Sequence, residues 1–303
     1  MLHGRLLRYL DEVARAGSIR KAATRLNVAS SAVNRRIIEL EEQLGTQIFE
    51  RLPRGLRLTA AGEVLIQHVR ETLREHERAL TQINSLKGLM RGEVTIVTMA
   101  GLAANLLADA LADFRRDHSR VKLNVGIQTG ERIVQTVIAG EADLGLGYNL
   151  AGNPKLTRMV ELEQRLGAAM APDHPLAGTQ SIRLADCLSF PIVAAERGMS
   201  LRNAVDLLVP PDAEFEPIVE TNSLDLMKRL ARRPPHLAIM NRADIDEELR
   251  TGQLAFVPFT GGGGRQIVSL VHRSKGSLDP AASMLARYVE EAFLARGVTL
   301  RGA

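Results

Sequence analysis

Two apolar stripes with helical spacing dominate the first sixty residues of this 303-residue chain. Within each stripe the positions step by four, three and four residues, so they share one face of a helix. The stripes consist of Leu6, Leu10, Val13 and Gly17, and of Val33, Ile37, Leu40 and Leu44. Between them, Ala22, Ala23 and Leu26 predict a short middle helix. Two short helices joined by a tight turn behind a supporting helix form a helix-turn-helix.

The last of these three helices, predicted from about Ser30, has a polar outer face. Opposite its apolar stripe it presents Ser31, Asn34 and Arg35. The N-terminal part of such a helix reaches base edges in the major groove, where serine and asparagine form hydrogen bonds and arginine contacts guanine or phosphate. We therefore take Ser30, Ser31, Asn34 and Arg35 as candidate DNA contacts. An ordinary helical hairpin with a polar outside is the alternative.

A β-hairpin is predicted directly after the third helix. Strand-like segments at 48–51 and 56–59 flank a tip that contains Pro53 and Gly55, as in the wing of a winged helix. An arginine on such a wing either enters a narrow minor groove or touches phosphate. We expect Arg54 and Arg57 to contact DNA in one of these two ways.

Basic charge is concentrated in the same region. Residues 1–58 hold 11 lysines and arginines against six acidic residues, a net charge of +5, whereas the rest of the chain carries −1. A basic module before a nearly neutral one favours double-stranded DNA as the partner of the first part. A solvated surface without a partner is the other interpretation of this charge.

A long helix is predicted from Thr59, its N-cap, to about Gly88. About 30 residues at about 1.5 Å each would span roughly 45 Å. Its apolar positions approach a heptad seam: Leu65, Val69, Leu73, Leu80 and Ile83. Pairing of two such helices would make a homodimer and provide two DNA-binding modules for a two-fold site. A helix that lies on its own domain is the alternative.

The remaining residues alternate between strands and helices, which predicts a mostly parallel α/β sheet in two successive blocks. Strands are predicted at 94–98, 121–127, 140–147, 166–171, 192–194, 217–220, 237–240 and 267–272. Residues 99–103 are predicted as a loop, and helices at 102–117, 133–138, 201–208, 223–232 and 281–295.

Ligands of open α/β sheets bind beyond the carboxyl ends of the strands. That rule selects the candidate effector-binding residues Thr98, Met99, Gly101, Gln128, Thr129, Tyr148, Ser200, Asn222 and Asn241. Several of these loops precede helices, whose free N–H groups suit an anion. We therefore expect a small metabolite that bears a carboxylate.

Other classes of function find little support in the sequence. The single cysteine, Cys187, excludes an internal disulfide framework, and the seven histidines are scattered, so we expect no metal site. No nucleophile with a matching base is apparent, so we expect neither an enzyme nor a cofactor. No run of about 18 apolar residues is present, so we expect no membrane partner. The start lacks an apolar signal region, which favours a cytoplasmic protein.

A specific resemblance covers the helix-turn-helix and the start of the long helix. Residues 18–51 (SIRKAATRLNVASSAVNRRIIELEEQLGTQIFER) and 58–62 (LTAAG) resemble the LysR-type transcriptional regulators. The resemblance implies a winged helix-turn-helix at 1–58, a linker helix at 59–90, and an effector-binding domain at 91–303. It also implies that this domain has two α/β lobes, like the type-2 periplasmic binding proteins. Lobe I would comprise 91–161 and 267–303, and lobe II 162–266.

The same resemblance implies a regulator whose DNA binding or promoter activity responds to a small-molecule effector in the cleft between the lobes. The expected partners are a pseudo-palindromic operator, the effector, and further copies of the chain in a homodimer or homotetramer; RNA polymerase is left open. Two alternatives remain: a small-molecule receptor without a regulatory role, and an enzyme with an accessory DNA module. Ala29, Asn34 and Arg36 depart from the family pattern, so its half-site preference is not carried over. Ala29 also lacks a capping oxygen.

Overall fold

A computed structural model describes residues 5–52, 55–86, 92–209, 214–260, 264–275 and 278–295. The chain divides into two compact units, Met1–Leu89 and Met90–Ala303.

The first unit is a winged helix followed by a long helix. Its elements are α1 (Arg5–Ala16), α2 (Ile19–Arg25), α3 (Ser30–Leu44), β1 (Phe49–Leu52), β2 (Gly55–Leu58) and α4 (Ala60–Leu86). The predicted helix-turn-helix and antiparallel hairpin are confirmed. Gly17 and Gly45 end α1 and α3 with φ angles of 59° and 65°, where side chains would be strained. The Ser18 hydroxyl caps α2 by accepting a hydrogen bond from the Lys21 N–H.

The first turns of α4 close the core of this unit. Ile66 and Val69 are buried there together with Leu10 and Val13 of α1. Val69 therefore packs inside its own unit, and its predicted place in an intermolecular seam is wrong. Leu80 and Ile83 are 39% and 49% exposed, so an intermolecular seam stays a prediction for these two residues. The predicted residues 87–90 of the linker lie outside the described residues.

Local hydrogen bonds set the ends of two helices. The Thr59 hydroxyl accepts from the Gly62 N–H at 3.0 Å and donates to the Gln47 carbonyl, so it caps α4 as predicted. Leu44, predicted to face inward, is 49% exposed instead, because the last turn of α3 extends past the core formed by Val33 and Ile37.

The second unit contains nine strands and several short helices within the described ranges. The strands are β3 (Gly92–Thr98), β4 (Val121–Ile127), β5 (Leu144–Tyr148), β6 (Leu156–Met170), β7 (Ile192–Ala195), β8 (Val219–Thr221), β9 (Leu237–Asn241), β10 (Ala255–Pro258) and β11 (Arg265–Arg273). The α-helices are α5 (Ala100–Leu102), α6 (Ala108–Asp117), α7 (Gly130–Ala139), α8 (Leu184–Cys187), α9 (Ser200–Asp206), α10 (Leu224–Ala231), α11 (Asp246–Arg250) and α12 (Pro280–Leu294). A π-helical segment, Ala103–Leu107, joins α5 to α6, and a 3-10 turn, Arg242–Ile245, precedes α11.

The sheet is mixed rather than mostly parallel, which corrects the prediction. Its strand order is β4-β3-β5-β11-β6-β9-β7-β8, with β10 paired to β6. The pairs β3–β4, β3–β5, β7–β8 and β7–β9 are parallel, as expected for α/β units. The long strands β6 and β11 form antiparallel pairs because they join the two halves rather than belong to one crossover unit.

Two segments fold differently from the prediction. Residues 100 and 101, predicted as loop, are helical, because only Met99 separates α5 from β3. The strand predicted at 166–171 begins ten residues earlier, as the first part of β6. That part pairs with β11 and mixes polar with apolar residues, so it is less conspicuous in the sequence than the fully apolar strands.

The largest two of the three buried clusters in the described part of this unit mark its two lobes. Lobe I, built on β3, β4, β5, β11 and the first part of β6, encloses Ile96, Phe114 and Leu162. Lobe II, built on β7 to β10 and the last part of β6, encloses Leu166 and Ile239. The change of core along β6 thus falls between 162 and 166, slightly later than the predicted boundary at 161/162. None of the helices in the described ranges is long and apolar enough to span a membrane.

Candidate DNA interface and effector cleft

The outer face of α3 exposes three of the predicted DNA contacts. Ser30, Ser31 and Arg35 are exposed: Ser31 and Arg35 lie on the side opposite the buried Val33 and Ile37, and Ser30 lies at the N-terminus of the helix. The Arg35 side chain is 74% exposed, and its Nε lies 3.6 Å from the Glu39 carboxylate one turn along the helix. A surface pair of this kind is weak, so the guanidinium is available to an anionic partner. The helix starts at Ala29 without a side-chain cap, as predicted.

The hairpin is tied to this face by a hydrogen bond that sequence reasoning missed. Asn34 is half-buried, and its Oδ1 accepts from Arg51 Nη2 at 3.1 Å. On the next strand, the exposed Arg57 donates to the Glu50 carboxylate at 2.7 Å. Arg54 lies outside the described residues. The face of α3 and the base of the hairpin therefore present one continuous surface with arginines on both elements.

Glu41 fixes the position of the hairpin relative to α3. Its Oε1 accepts the backbone N–H groups of Ile48 at 2.7 Å and Phe49 at 3.1 Å. Charge-assisted hydrogen bonds to backbone N–H groups are stronger than neutral ones. Glu41 is not among the residues that the sequence pattern selected. The position of Glu41 seven residues before the buried Ile48 is the feature of the sequence that could have indicated this structural role.

The candidate effector residues of lobe I lie at the carboxyl ends of β3, β4 and β5. Thr98 is fully buried, and its Oγ1 has no hydrogen-bond partner among the described residues. The backbone N–H of Gln128 donates to the Thr98 carbonyl, and its side-chain Oε1 accepts from the Thr136 hydroxyl at 2.9 Å. Thr129 is exposed and precedes α7 without capping it, so the first N–H groups of that helix receive no hydrogen bond from its side chain.

Two of the candidate effector residues, Ser200 and Asn222, lie in lobe II. The Ser200 hydroxyl, at the start of α9, lies 3.6 Å from the Met99 sulfur of lobe I, so these two predicted residues meet across the lobes. Asn222 is exposed between β8 and α10. The structure thus brings Met99 and Ser200 together but leaves Asn222 at the surface.

Three other predicted residues converge on a carboxyl that was not predicted, that of Asp244. The Tyr148 hydroxyl donates to Asp244 Oδ1 at 3.3 Å, and Asn241 Nδ2 donates to Oδ2 at 3.0 Å. Gly101 lies against the same carboxyl so closely that a Cβ there would overlap Oδ1. Gln266 extends the group by donating to Asn241 Oδ1 at 2.7 Å.

This cluster is buried, and burial controls its protonation. Asp244 is only 2% exposed. Loss of hydration raises the pKa of the Asp244 carboxyl to about 6, although hydrogen bonds from Asn241 and Tyr148 favour the ionised form. Burial, followed by the nearby Asp244 charge, raises the pKa of Tyr148 well above its ordinary value. The sequence prediction included Asn241 but not Asp244. Its position three residues beyond the end of β9 could have identified Asp244 as a further candidate.

Metal and thiol chemistry find no site in the parts of the chain that the structure describes. No three histidine, cysteine or acidic side chains are grouped there so that they could hold a metal ion. Cys187 is buried in lobe II, and its burial raises the pKa of the thiol to about 12, so it stays protonated.

Comparison with known proteins identifies both units. Residues 5–63 match the family described as "Bacterial regulatory helix-turn-helix protein, lysR family", and residues 87–294 match "LysR substrate binding domain". Among curated relatives, the chain is 29% identical over 290 residues to the RuBisCO operon transcriptional regulator of Allochromatium vinosum, covering 94% of each chain. It is 24% identical to the HTH-type regulator YdcI of Escherichia coli, covering 90% of each.

Solved structures share the fold over almost the full length. A full-length OxyR variant from Pseudomonas aeruginosa aligns with a TM-score of 0.76 at 18% identity, covering 99% of both chains. Full-length CbnR complexed with its target DNA aligns with a TM-score of 0.62 at 20% identity, covering 95% of this chain and 99% of that one. Because both domains match, a regulator is favoured over a receptor without a regulatory role. The chain therefore belongs to the LysR family of transcriptional regulators, with a DNA-binding helix-turn-helix followed by an effector-binding domain.

Proposed function

We propose that this regulator binds a pseudo-palindromic operator as a homodimer or a homotetramer, with the N-terminal half of α3 in the major groove. The observation that carries the proposal is the exposed polar surface of α3, with Ser30 at the N-terminus of the helix and with Ser31 and Arg35 opposite the buried stripe. Short hydroxyl side chains and an arginine at the start of a helix match the donor and acceptor pattern of base edges.

The roles of the contacting residues differ. Ser30, Ser31 and Arg35 are proposed to contact bases. Asn34 is proposed to do so while Arg51 holds its carboxamide oxygen. Arg54 and Arg57 of the hairpin are proposed to contact the sugar-phosphate backbone or the minor groove.

Self-association is supported by exposed apolar side chains. Leu80 and Ile83 lie three positions apart on α4, so they share one face of that helix. Val125 and Ile127, exposed on the edge strand β4, offer a second apolar surface. Apolar groups that cluster at a surface favour burial against another copy of the chain. RNA polymerase is a further proposed partner, as the enzyme on which a regulator acts.

The effector is proposed to be a small metabolite with a carboxylate, bound between the lobes near Thr98, Thr129 and Ser200. Among the described residues, the Thr98 hydroxyl has no hydrogen-bond partner, and no N-cap side chain bonds the first turns of α7 and α9. Both observations support this choice, because free N–H groups attract an anion. Effector binding would change the arrangement of the lobes and thereby DNA binding. The proposal includes no catalytic step and no cofactor, and it places the protein in the cytoplasm with its operator.

Footprinting of the full-length protein on the DNA upstream of its own gene, over a series of salt concentrations, tests the proposal. We expect protection of a two-fold-symmetric site that weakens steeply with salt, because phosphate contacts release counterions. Binding that ignores sequence at every salt concentration would contradict sequence-specific regulation at this site.

The Arg35→Ala variant tests the assigned face of α3. We expect its affinity for the protected site to fall by about 1–3 kcal/mol, with little change on unrelated DNA. Arg36→Ala is the matched control, since Arg36 pairs with the same Glu39 but lies off the proposed contact face. If Arg35→Ala and Arg36→Ala lost the same affinity for the protected site and for unrelated DNA, Arg35 would not contact a base.

A further inference from the structure

The Asp244 carboxyl joins the two lobes at one buried point. Asp244 belongs to the 3-10 turn after β9, in lobe II, whereas Tyr148 ends β5 in lobe I. Asn105, in the π-helical segment of lobe I, donates to the backbone carbonyl of Asp244 at 3.0 Å. Gly101 of lobe I packs directly against the carboxyl. Separation of the lobes at this point would therefore break these contacts of Asp244.

Within the described residues, the side-chain donors to this carboxyl are both neutral. They are the Tyr148 hydroxyl and the Asn241 amide. The facing titratable groups are Tyr148 on β5 and Lys228 on α10, and the Lys228 ammonium lies 3.3 Å from Glu248 instead. Asp246 and Glu248 follow on α11, and Arg242, on the same turn, is exposed. A buried carboxylate without a cation in direct contact is costly to ionise.

We propose that Asp244 is a proton-linked latch: its protonated carboxyl holds the lobes in the arrangement seen here, and its ionisation favours their separation. The contacts that separation would break come from three different elements of lobe I: β5, α5 and the π-helical segment. This property adds acid sensitivity to the regulator and does not depend on the identity of the effector.

The direction of the pH response follows from the two protonation equilibria. The joined arrangement raises the pKa of Asp244 to about 6, whereas a solvated carboxyl returns to its ordinary value of 3.8. Between these values the joined arrangement holds a proton that the separated one releases. The joined arrangement is therefore most favoured at low pH and weakens as the pH rises to about 6. Above that pH both arrangements are ionised, and the balance stays constant.

The size of the response is set by the difference between the two pKa values. A difference of one pKa unit changes the ratio of joined to separated molecules tenfold. Two units therefore correspond to a change of about 100-fold in that ratio across the transition.

An inter-lobe distance measurement on the full-length protein tests the latch. Fluorophores are attached to cysteines introduced at exposed positions, Arg120→Cys in lobe I and Arg233→Cys in lobe II. The native Cys187 stays, because its thiol is buried. Labelled chains are mixed with a large excess of unlabelled chains, so that energy transfer reports distances within one chain. Energy transfer is then followed from pH 4.5 to 8, with no ligand added.

We expect energy transfer in the otherwise unchanged protein to fall as the pH rises and to level off above about pH 6. Asp244→Asn, which carries a neutral amide at every pH, should remove this transition. Asp143→Asn is the matched control: its carboxylate accepts the Thr95 N–H inside lobe I, so the transition should persist. A flat profile in the unchanged protein, or an unaltered transition in Asp244→Asn, would overturn the latch.

A second variant covers the case in which Asp244→Asn does not fold. Tyr148→Phe keeps the buried ring and removes only the hydroxyl that favours the ionised carboxyl. We expect the upper end of the transition to move to higher pH in this variant, a shift that a purely structural role would not produce. A transition that stays in place would overturn the latch as well.

Discussion

In the first unit the candidate binding side chains reach water from one helix face, whereas in the second unit several candidate residues converge on a buried carboxyl. Arg35 is 74% exposed, and Asp244 is 2% exposed. The first surface is suited to a large charged partner that supplies its own contacts. The second is suited to transmitting a change in protonation or arrangement between two lobes, because every group in it already has a neighbour from the other lobe.

The two regions also differ in how far apart their partners lie along the chain. Glu41 bonds Ile48 seven residues away, and Arg51 bonds Asn34 seventeen residues away. Tyr148 and Asn105 reach Asp244 across 96 and 139 residues. The helix face is thus a product of local structure. The contacts of Asp244 with Gly101, Asn105 and Tyr148, here called the junction, form only when both lobes are folded and in contact. The following substitutions test this difference.

The largest effect is expected from Gly101→Ala in the junction. The added methyl group would overlap the Asp244 carboxyl and crowd Leu224 of lobe II. Overpacking at a site that cannot relax destabilises by about 1–3 kcal/mol, and we expect the upper end of that range, about 3 kcal/mol. Calorimetric unfolding of the full-length protein measures the change. Gly152→Ala is the control, since no atom of the described residues lies within 4 Å of its added methyl group. If Gly101→Ala and Gly152→Ala had the same free energy of unfolding, the junction would be loosely packed.

A smaller effect is expected from Glu41→Ala in the first unit. The change leaves the N–H groups of Ile48 and Phe49 without the carboxylate that both now use. Loss of an acceptor for partly buried donors costs about 1–2 kcal/mol. Thermal unfolding monitored by circular dichroism detects it, with Glu42→Ala as the exposed neighbouring control. If Glu42→Ala lowers the melting temperature as much, the hydrogen bonds of Glu41 to Ile48 and Phe49 do not contribute measurably to stability.

The smallest effect, in the stabilising direction, is expected from Ala29→Ser. Ala29 has the extended backbone of an N-cap, but its side chain provides no acceptor. A serine hydroxyl there would accept an N–H of the first turn of α3 and add about 0.5–1 kcal/mol to the free energy of unfolding. The control, Ala32→Ser, places the same hydroxyl inside the helix and should destabilise slightly. A gain for both variants would point to a cause other than capping.

Much of the first unit could be predicted because its structure depends on short-range patterns. The stripe through Val33 and Ile37, the capping Ser18 and the helix-ending Gly45 each act within a few residues. The prediction was wrong where a distant surface competes for the same side chain. Val69 has the spacing of an intermolecular seam, but α1 lies beside it and buries it.

In the second unit the alternation of strands and helices predicted an α/β domain, and the strand-end rule selected Gly101, Tyr148 and Asn241. That rule names positions along an edge of the sheet, so it cannot say which of them meet. Asp244 was missed because it stands in an acidic stretch that reads as an exposed helix. It is buried because the 3-10 turn packs against α5, β5 and the π-helical segment, which are distant in the sequence.

The sequence by itself determined the family, the helix-turn-helix, its basic character and the order of the domains, since each follows from residue types at short spacings. The tertiary structure alone decided that β6 and β11 run antiparallel between the lobes and that Asp244 lies buried beside Tyr148. Burial and long-range contacts depend on how distant segments pack, and the energy of a carboxyl depends on its surroundings more than on its neighbours in sequence.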